Sequence, residues 1–526
     1  TTIDARGAGG AAEGADVTLD HGSSDLGGAV GAFGRNILLT HPTRIDLGTS
    51  IVTGTYGVTA TTGNITDTGA LTITGLTTLV TSADGGDITL NETGHEFTGN
   101  VKVTTNETNS DEDAHAWIDG GSSAGLKIEK GSEVQGDLTL RSGHANTITD
   151  EGDSGVVTVD GDLTATTYAN NGSITLNDLA IDGTIGLNTH GTGNATVVND
   201  NRFQFASSSV GGDLHATATV GSITQNSDAL AITGTTTLIT AASNASINLG
   251  TASNAFTGAL IITTRDDDAN GTDGDVTIHG GTTALVLGAS TIEGDLALTS
   301  TATGVAGITN TDTLNIRGTT AVSASGVNVE LDSALNNFEG AVSINGVDVT
   351  VEDANDIVFA ASTITGVFTL TAGGGVTDSG ALTITDETNI NAEFGNVELD
   401  VGTNDFQQAV KIIGRNVTLV DANAIALGAS TVTGNYAVTA GGDITDSGVL
   451  IIGGTSTFTA SGGQSILLTQ SSTFTGAVTF ASGGTLVGVS IKDSTDFDLK
   501  ALTLSGNLVV ASGGSITQSG NLTIGG

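Results

Sequence analysis

Along most of this chain, apolar and polar residues alternate over four to six positions and then break at Gly, Asn or Asp. The stretch ALTITDETNINAEFGNVELDVGTNDF, which starts at Ala381, shows the habit. Alternation with a period of two, carried by β-branched residues, predicts strands with one buried face. No segment sustains helical spacing, and Leu, Lys and Glu are scarce beside Thr, Val and Gly. An all-β fold follows.

The strands belong to a longer repeat with three markers in fixed order. The first is a Phe element: FTGN from Phe97, FTGAL from Phe256, FEGAV from Phe338, FQQAV from Phe406 and FTGAV from Phe474, with LGGAV from Leu26 as a variant. The second is STIEG at Ser290, STITG at Ser362 and STVTG at Ser430. The third is GNITD at Gly63, GSITQ at Gly221, GGVTD at Gly374, GDITD at Gly442 and GSITQ at Gly514. Phe338 to Phe406 and Phe406 to Phe474 are both 68 residues. Thr363 and Thr431 each follow their Phe by 25, and Val376 and Ile444 come 13 later. About seven units of 68–87 residues begin near 26, 97, 180, 256, 338, 406 and 474, and the one near 180 lacks its Phe.

A 68-residue unit divides into roughly three coils of 22 to 23 residues, each with two or three short strands. That is the signature of a parallel β-solenoid, whose coils stack at roughly 4.8 Å. The chain reads as a single continuous solenoid over 1–526, with each marker Phe inside and Thr and Asn stacked in ladders at the bends. A seven-bladed propeller fits less well, because its blades are shorter and richer in aromatics. Trp117 is the one tryptophan.

Charge narrows the partners. The chain carries 57 acidic against 14 basic residues, a formal charge of −43. Nucleic acid is not expected, since phosphate binding needs clustered Lys and Arg, and an anionic membrane surface is disfavoured for the same reason. No run approaches the roughly 18 apolar residues of a membrane span, so no membrane insertion is expected. With no cysteine, disulfides and thiolate metal sites are impossible. The chain opens at Thr1 without a methionine, as expected of a processed chain or a piece of a longer one.

Catalytic chemistry is not predicted. The eight His form no close ligand pair, and the six Lys are scattered. Gly-Gly patterns belong to tight bends. Sequons at Asn64, Asn106, Asn194 and Asn416 follow from a chain rich in Asn and Thr. Two acidic insertions stand out at one bend of the coil, near 104–120 and 264–276. In the second, RDDDANGTDGD, the order Asp266-x-Asp268-x-Asn270-Gly271 matches the start of a calcium loop, with oxygen ligands on alternate residues. Its twelfth position is Thr277 rather than a bidentate Glu, which leaves Asp273 or Asp275 to substitute. No cofactor is required, and calcium is the one candidate.

The phrasing LTITG…TTTL…GGDITL…FTGAV resembles the repetitive stalks of bacterial filamentous-haemagglutinin-like adhesins, autotransporter passengers and related β-strand-repeat surface proteins. The resemblance covers essentially the whole chain and implies export and a right-handed β-helix at the cell surface. The chain starts and stops inside the repeat, and Gly526 followed by Thr1 would continue it in phase. Open coil ends are unpaired strand edges that invite association. Thr1, Thr2 and Ile3 at one end, and Leu522, Ile524 and Gly526 at the other, are therefore the candidate assembly residues. The function expected is an extracellular structural protein whose partners are head-to-tail copies of itself, in a fibre, sheath or surface layer. The alternative is an adhesin stalk that contacts other cell-surface or matrix components.

Overall fold

A computed structural model describes residues 1–6, 14–23, 25–108, 113–143, 147–152, 154–265, 274–304 and 306–526. They form two compact units, Thr1–His279 and Gly280–Gly526. Each is a parallel β-solenoid, and the described residues include no helix.

Apolar residues at every second position build the interior of both units. In the first, strands Ile37–His41, Tyr56–Ala60, Thr77–Asp84 and Val101–Asn106 stack in parallel. Their register places Leu39, Val58, Leu79 and Val103 in one buried column. In the second, Val349–Asp353, Phe368–Ala372, Thr388–Ala392 and Ala409–Gly414 do the same with Val351, Leu370, Ile390 and Ile412. Slipping one strand by a single residue would expose the whole apolar set, so the alternation itself holds the register.

A turn holds about three strands. Thr388–Ala392, Val397–Leu399 and Asp405–Phe406 make one, and Ala409–Gly414 begins the next by stacking on the first of them. The marker Phe side chains Phe97, Phe256, Phe338, Phe406 and Phe474 are all interior, as expected from the repeat. In the unit that lacks the marker, Ile181 is buried instead. The bends approach one another closely. A Cβ on Gly340 would collide with the carbonyl of Gly318 one turn earlier, which is why the Gly of the Phe-x-Gly marker recurs.

Candidate functional site

The polar residues of the repeat are chiefly structural. The residue just before the strands at one corner recurs as Asn64, Asp87, His115, Asp137 and Asp162. Each side chain accepts the backbone N–H of its successor one turn on. Asp87 N–H donates to Asn64 Oδ1 (3.1 Å), His115 N–H to Asp87 Oδ1 (3.0 Å), Asp137 N–H to His115 Nδ1 (2.8 Å) and Asp162 N–H to Asp137 Oδ1 (2.8 Å). Thr184 N–H ends the series on Asp162 Oδ1. The second unit repeats the device with Asn416, Asn435 and Thr455. The ladders expected of Asn and Thr therefore exist, but their bonds run mainly from side chain to backbone.

A second set lies inside. Two residues before each marker Phe stands a buried polar side chain: His95, Asn254, Asn336, Asn404 or Ser472. Each accepts the N–H of a Leu one turn earlier, from Leu71, Leu230, Leu314, Leu382 and Leu450 respectively. The third marker's final residue meets it. Asn404 Nδ2 donates to Asp378 (2.6 Å) and Asn254 Nδ2 to Gln225 (2.8 Å); at Asn336 the partner is Asn310, the end of a shortened counterpart, GITN from Gly307, whose Nδ2 donates to Asn336 (2.8 Å). His95 Nδ1 is an acceptor, so its proton is on Nε2, 2.9 Å from Asp67 Oδ2. The Ser of the second marker likewise accepts an interior N–H, as Ser430 Oγ does from Ile412.

Asp353 and Asp421 fill a third recurring place, fifteen residues after the marker Phe. Asp421 accepts the N–H of Phe406 (2.8 Å) and of Asn423 (2.6 Å), and Asp353 does so from Phe338 and Asn355. Burial pushes both carboxyls up in pKa, and the backbone donors only partly oppose it. His41 takes the same place opposite Leu26, and Asn199 opposite Ile181. A folded pKa above the unfolded one favours folding below the unfolded value and loses that advantage as pH rises through the folded value. Wild type should therefore lose stability relative to Asp421→Asn as pH rises above the ordinary aspartate value of about 4. Urea titrations of the two proteins measure the difference directly, and a pH-independent gap would contradict it.

Of the calcium candidates, Asp266, Asp268, Asn270 and Asp273 lie outside the described residues. Asp275 is exposed, immediately before strand Val276–His279, and its carbonyl accepts the N–H of Ile247 (2.8 Å). It holds the same place in the turn as Asp87 and Asp137. At the first described segment, Thr2 and Ile3 pair with Gly31 and Ala32, and Thr1 O accepts Gly31 N–H (2.9 Å). At the other end, Leu522 and Ile524 pair with Leu502 and Leu504, and Gly526 N–H donates to Gly506. Each group is thus the strand pairing of an ordinary turn. The chain's pairing places the two groups at separate ends of the sequence, in separate units.

One face of the first unit departs from this structural use of polar residues. Trp117 lies outward on strand Ala116–Asp119, 39% exposed, between Thr89 and Thr139 of the turns on either side. Asp87, His115 and Asp137 run along the adjoining corner and, with Trp117, line a shallow groove of about 210 Å³. Nearby, the Arg141 guanidinium sits 5.2 Å from the centre of the Tyr168 ring. The Tyr168 hydroxyl donates to the buried Asp119 (3.1 Å). Tyr56 and Tyr436 are interior, so Tyr168 is the one exposed tyrosine.

Stacked turns, parallel ladders and recurring polar pairs define a repeat protein of the β-solenoid class. The chain belongs to the family described as repeats of unknown function (DUF5649), whose profile matches residues 34–104, 192–263, 273–345, 346–413, 414–481 and 487–526. No curated protein and no solved structure matches it.

Proposed function

We propose that this is an extracellular structural protein, a β-solenoid subunit that stacks head-to-tail into a fibre, sheath or surface layer, with no catalytic role. The observation that carries the reading is the outer edge of the strands Leu508–Ser512, Ile516–Gln518 and Leu522–Ile524. They follow the same alternation as every interior turn, yet Ile516 and Ile524, which stack on buried Phe497 and Leu504, are 51% and 37% exposed. A further turn in register would cover Ile516 and Ile524 and supply partners for the open ladder, and either continuing chain or a second copy can provide it. A contact of that heterologous kind propagates rather than closes.

The acidic surface suits such a role, since like charge keeps neighbouring fibres apart. Calcium at the 264–276 loop would bridge them, on the strength of its Asp-x-Asp-x-Asn-Gly order. Light scattering and electron microscopy of the purified chain, with and without calcium, test the proposal. Concentration-dependent filaments are expected, shortened by Ile516→Lys combined with Ile524→Lys. Monodisperse particles at high concentration in both conditions would refute it. The alternative, an adhesin stalk like those the sequence resembles, is favoured by the aromatic face at Trp117 rather than by the strand edges.

A further inference from the structure

We infer that the face around Trp117 is a binding subsite for one pyranose ring of a neutral polysaccharide. Most large aromatics of this fold are interior, among them the marker Phe residues, Tyr56 and Tyr436; Trp117, Tyr168 and Phe394 are the exposed ones among the described residues. Trp117 instead occupies an outward row whose neighbours, Thr89 and Thr139, are short. With short neighbours on both sides, Trp117 is 39% exposed. Burying so large an apolar ring would gain more than any other side chain in that row, so its exposure leaves a surface that a ligand can cover.

The adjoining corner supplies the polar half. The ladder uses one oxygen each of Asp87 and Asp137, and it uses His115 Nδ1 as an acceptor. Because Nδ1 accepts, the neutral ring carries its proton on Nε2 and offers a donor. Asp137 Oδ2 lies 3.4 Å from His115 Nδ1, which carries no proton to give it, so this oxygen and the second oxygen of Asp87 remain as acceptors on the turns after and before. Acceptor, donor and acceptor therefore stand in a row at about the spacing of the turns, roughly 4.8 Å. That order matches a sugar, whose ring hydroxyls each give and take a hydrogen bond while one ring face presents C–H groups to the indole. Two carboxylates at the rim, on a chain with a net charge of −43, oppose a uronate or sulfated sugar. The shallow groove admits a ring side-on and leaves the polymer free to continue along the surface.

Trp117 is the chain's one tryptophan, so its emission reports this face alone. The test titrates the full chain with cellohexaose, maltohexaose, chitohexaose and a hexagalacturonate. At least one neutral hexamer should shift Trp117 emission with half-saturation at about 1 mM, the range expected of a single exposed ring contact. The hexagalacturonate should not. Calorimetry should show the heat abolished in Trp117→Ala. It should show binding weakened about tenfold in Asp137→Asn, which keeps an acceptor for Asp162 N–H but turns the second oxygen into a donor. Both variants should melt as wild type does and retain the same assembly state, which separates this inference from the head-to-tail reading. Three results would overturn it: no shift with any neutral hexamer at 20-fold above about 1 mM, equal binding of the uronate, or a shift that follows protein concentration without sugar. The last would mark the face as a contact between copies.

Discussion

Phe406→Ala should lower stability by about 3–5 kcal/mol, the cost of emptying an aromatic site in a closely packed core. The Phe406 ring is 1% exposed, and the residue pairs with Ile384 of the preceding turn. The space left cannot close easily, because the backbone on either side is held. Phe406 N–H is bonded to buried Asp421, and Gln407 N–H to the carbonyl of Ile384. In a solenoid each turn touches only its neighbours, so the damage should be local. Hydrogen exchange should show faster opening of strands Leu382–Ile384, Ala409–Gly414 and Val417–Asp421, while strands such as Tyr56–Ala60 keep their protection. Urea denaturation measures the size of the loss, and unchanged exchange in those three strands would contradict the argument.

Asn404→Ala should cost about 2–4 kcal/mol although it removes little apolar surface. Asn404 is fully buried. Its Oδ1 receives the N–H of Leu382 (2.9 Å), and its Nδ2 donates to Asp378 (2.6 Å). Alanine leaves the buried Leu382 N–H without an acceptor and takes one donor from the half-buried Asp378, whose Oδ2 keeps the longer bond from Val401 N–H (3.4 Å). The chain contains its own control. Ser472, in the same place one unit later, receives the N–H of Leu450 (3.0 Å). Asn404→Ser should therefore recover part of the loss in thermal melts, whereas a merely steric role for Asn404 would make Ser and Ala equivalent.

The repeat was legible because apolar alternation and the marker Phe residues obey geometry that is local to each strand. The buried polar set was not. His95, Asn254, Asn336, Asn404 and Ser472 each stand beside Asn, Asp, Gly, Ser or Thr, in stretches that read as solvated bends. Their partners are backbone groups about a turn away, which no side-chain pattern records. A signal did exist: a hydrogen-bonding residue occurs two places before every marker Phe, and aligning the units on Phe would have isolated it. The carboxylates at the corners misled in the same way. They read as surface charge, whereas Asp87, Asp137 and Asp162 are acceptors that the turns need. Trp117 stood out in the sequence only by being alone. Its outward aim depends on strand phase within an insertion, and Thr89 and Thr139 reveal it only once the turns are stacked.

The corner ladder also bears on how such a chain can change over time. A side chain that answers another side chain must drift together with it. Here each rung is answered by a peptide N–H, which every residue except proline supplies. Asn64, Asp87, His115 and Asp137 can therefore succeed one another in one column without any compensating substitution, and Thr184 can end it. Whole turns can be duplicated or lost with no partner to rematch. The single proline among 526 residues is the trace of the one exchange this arrangement resists.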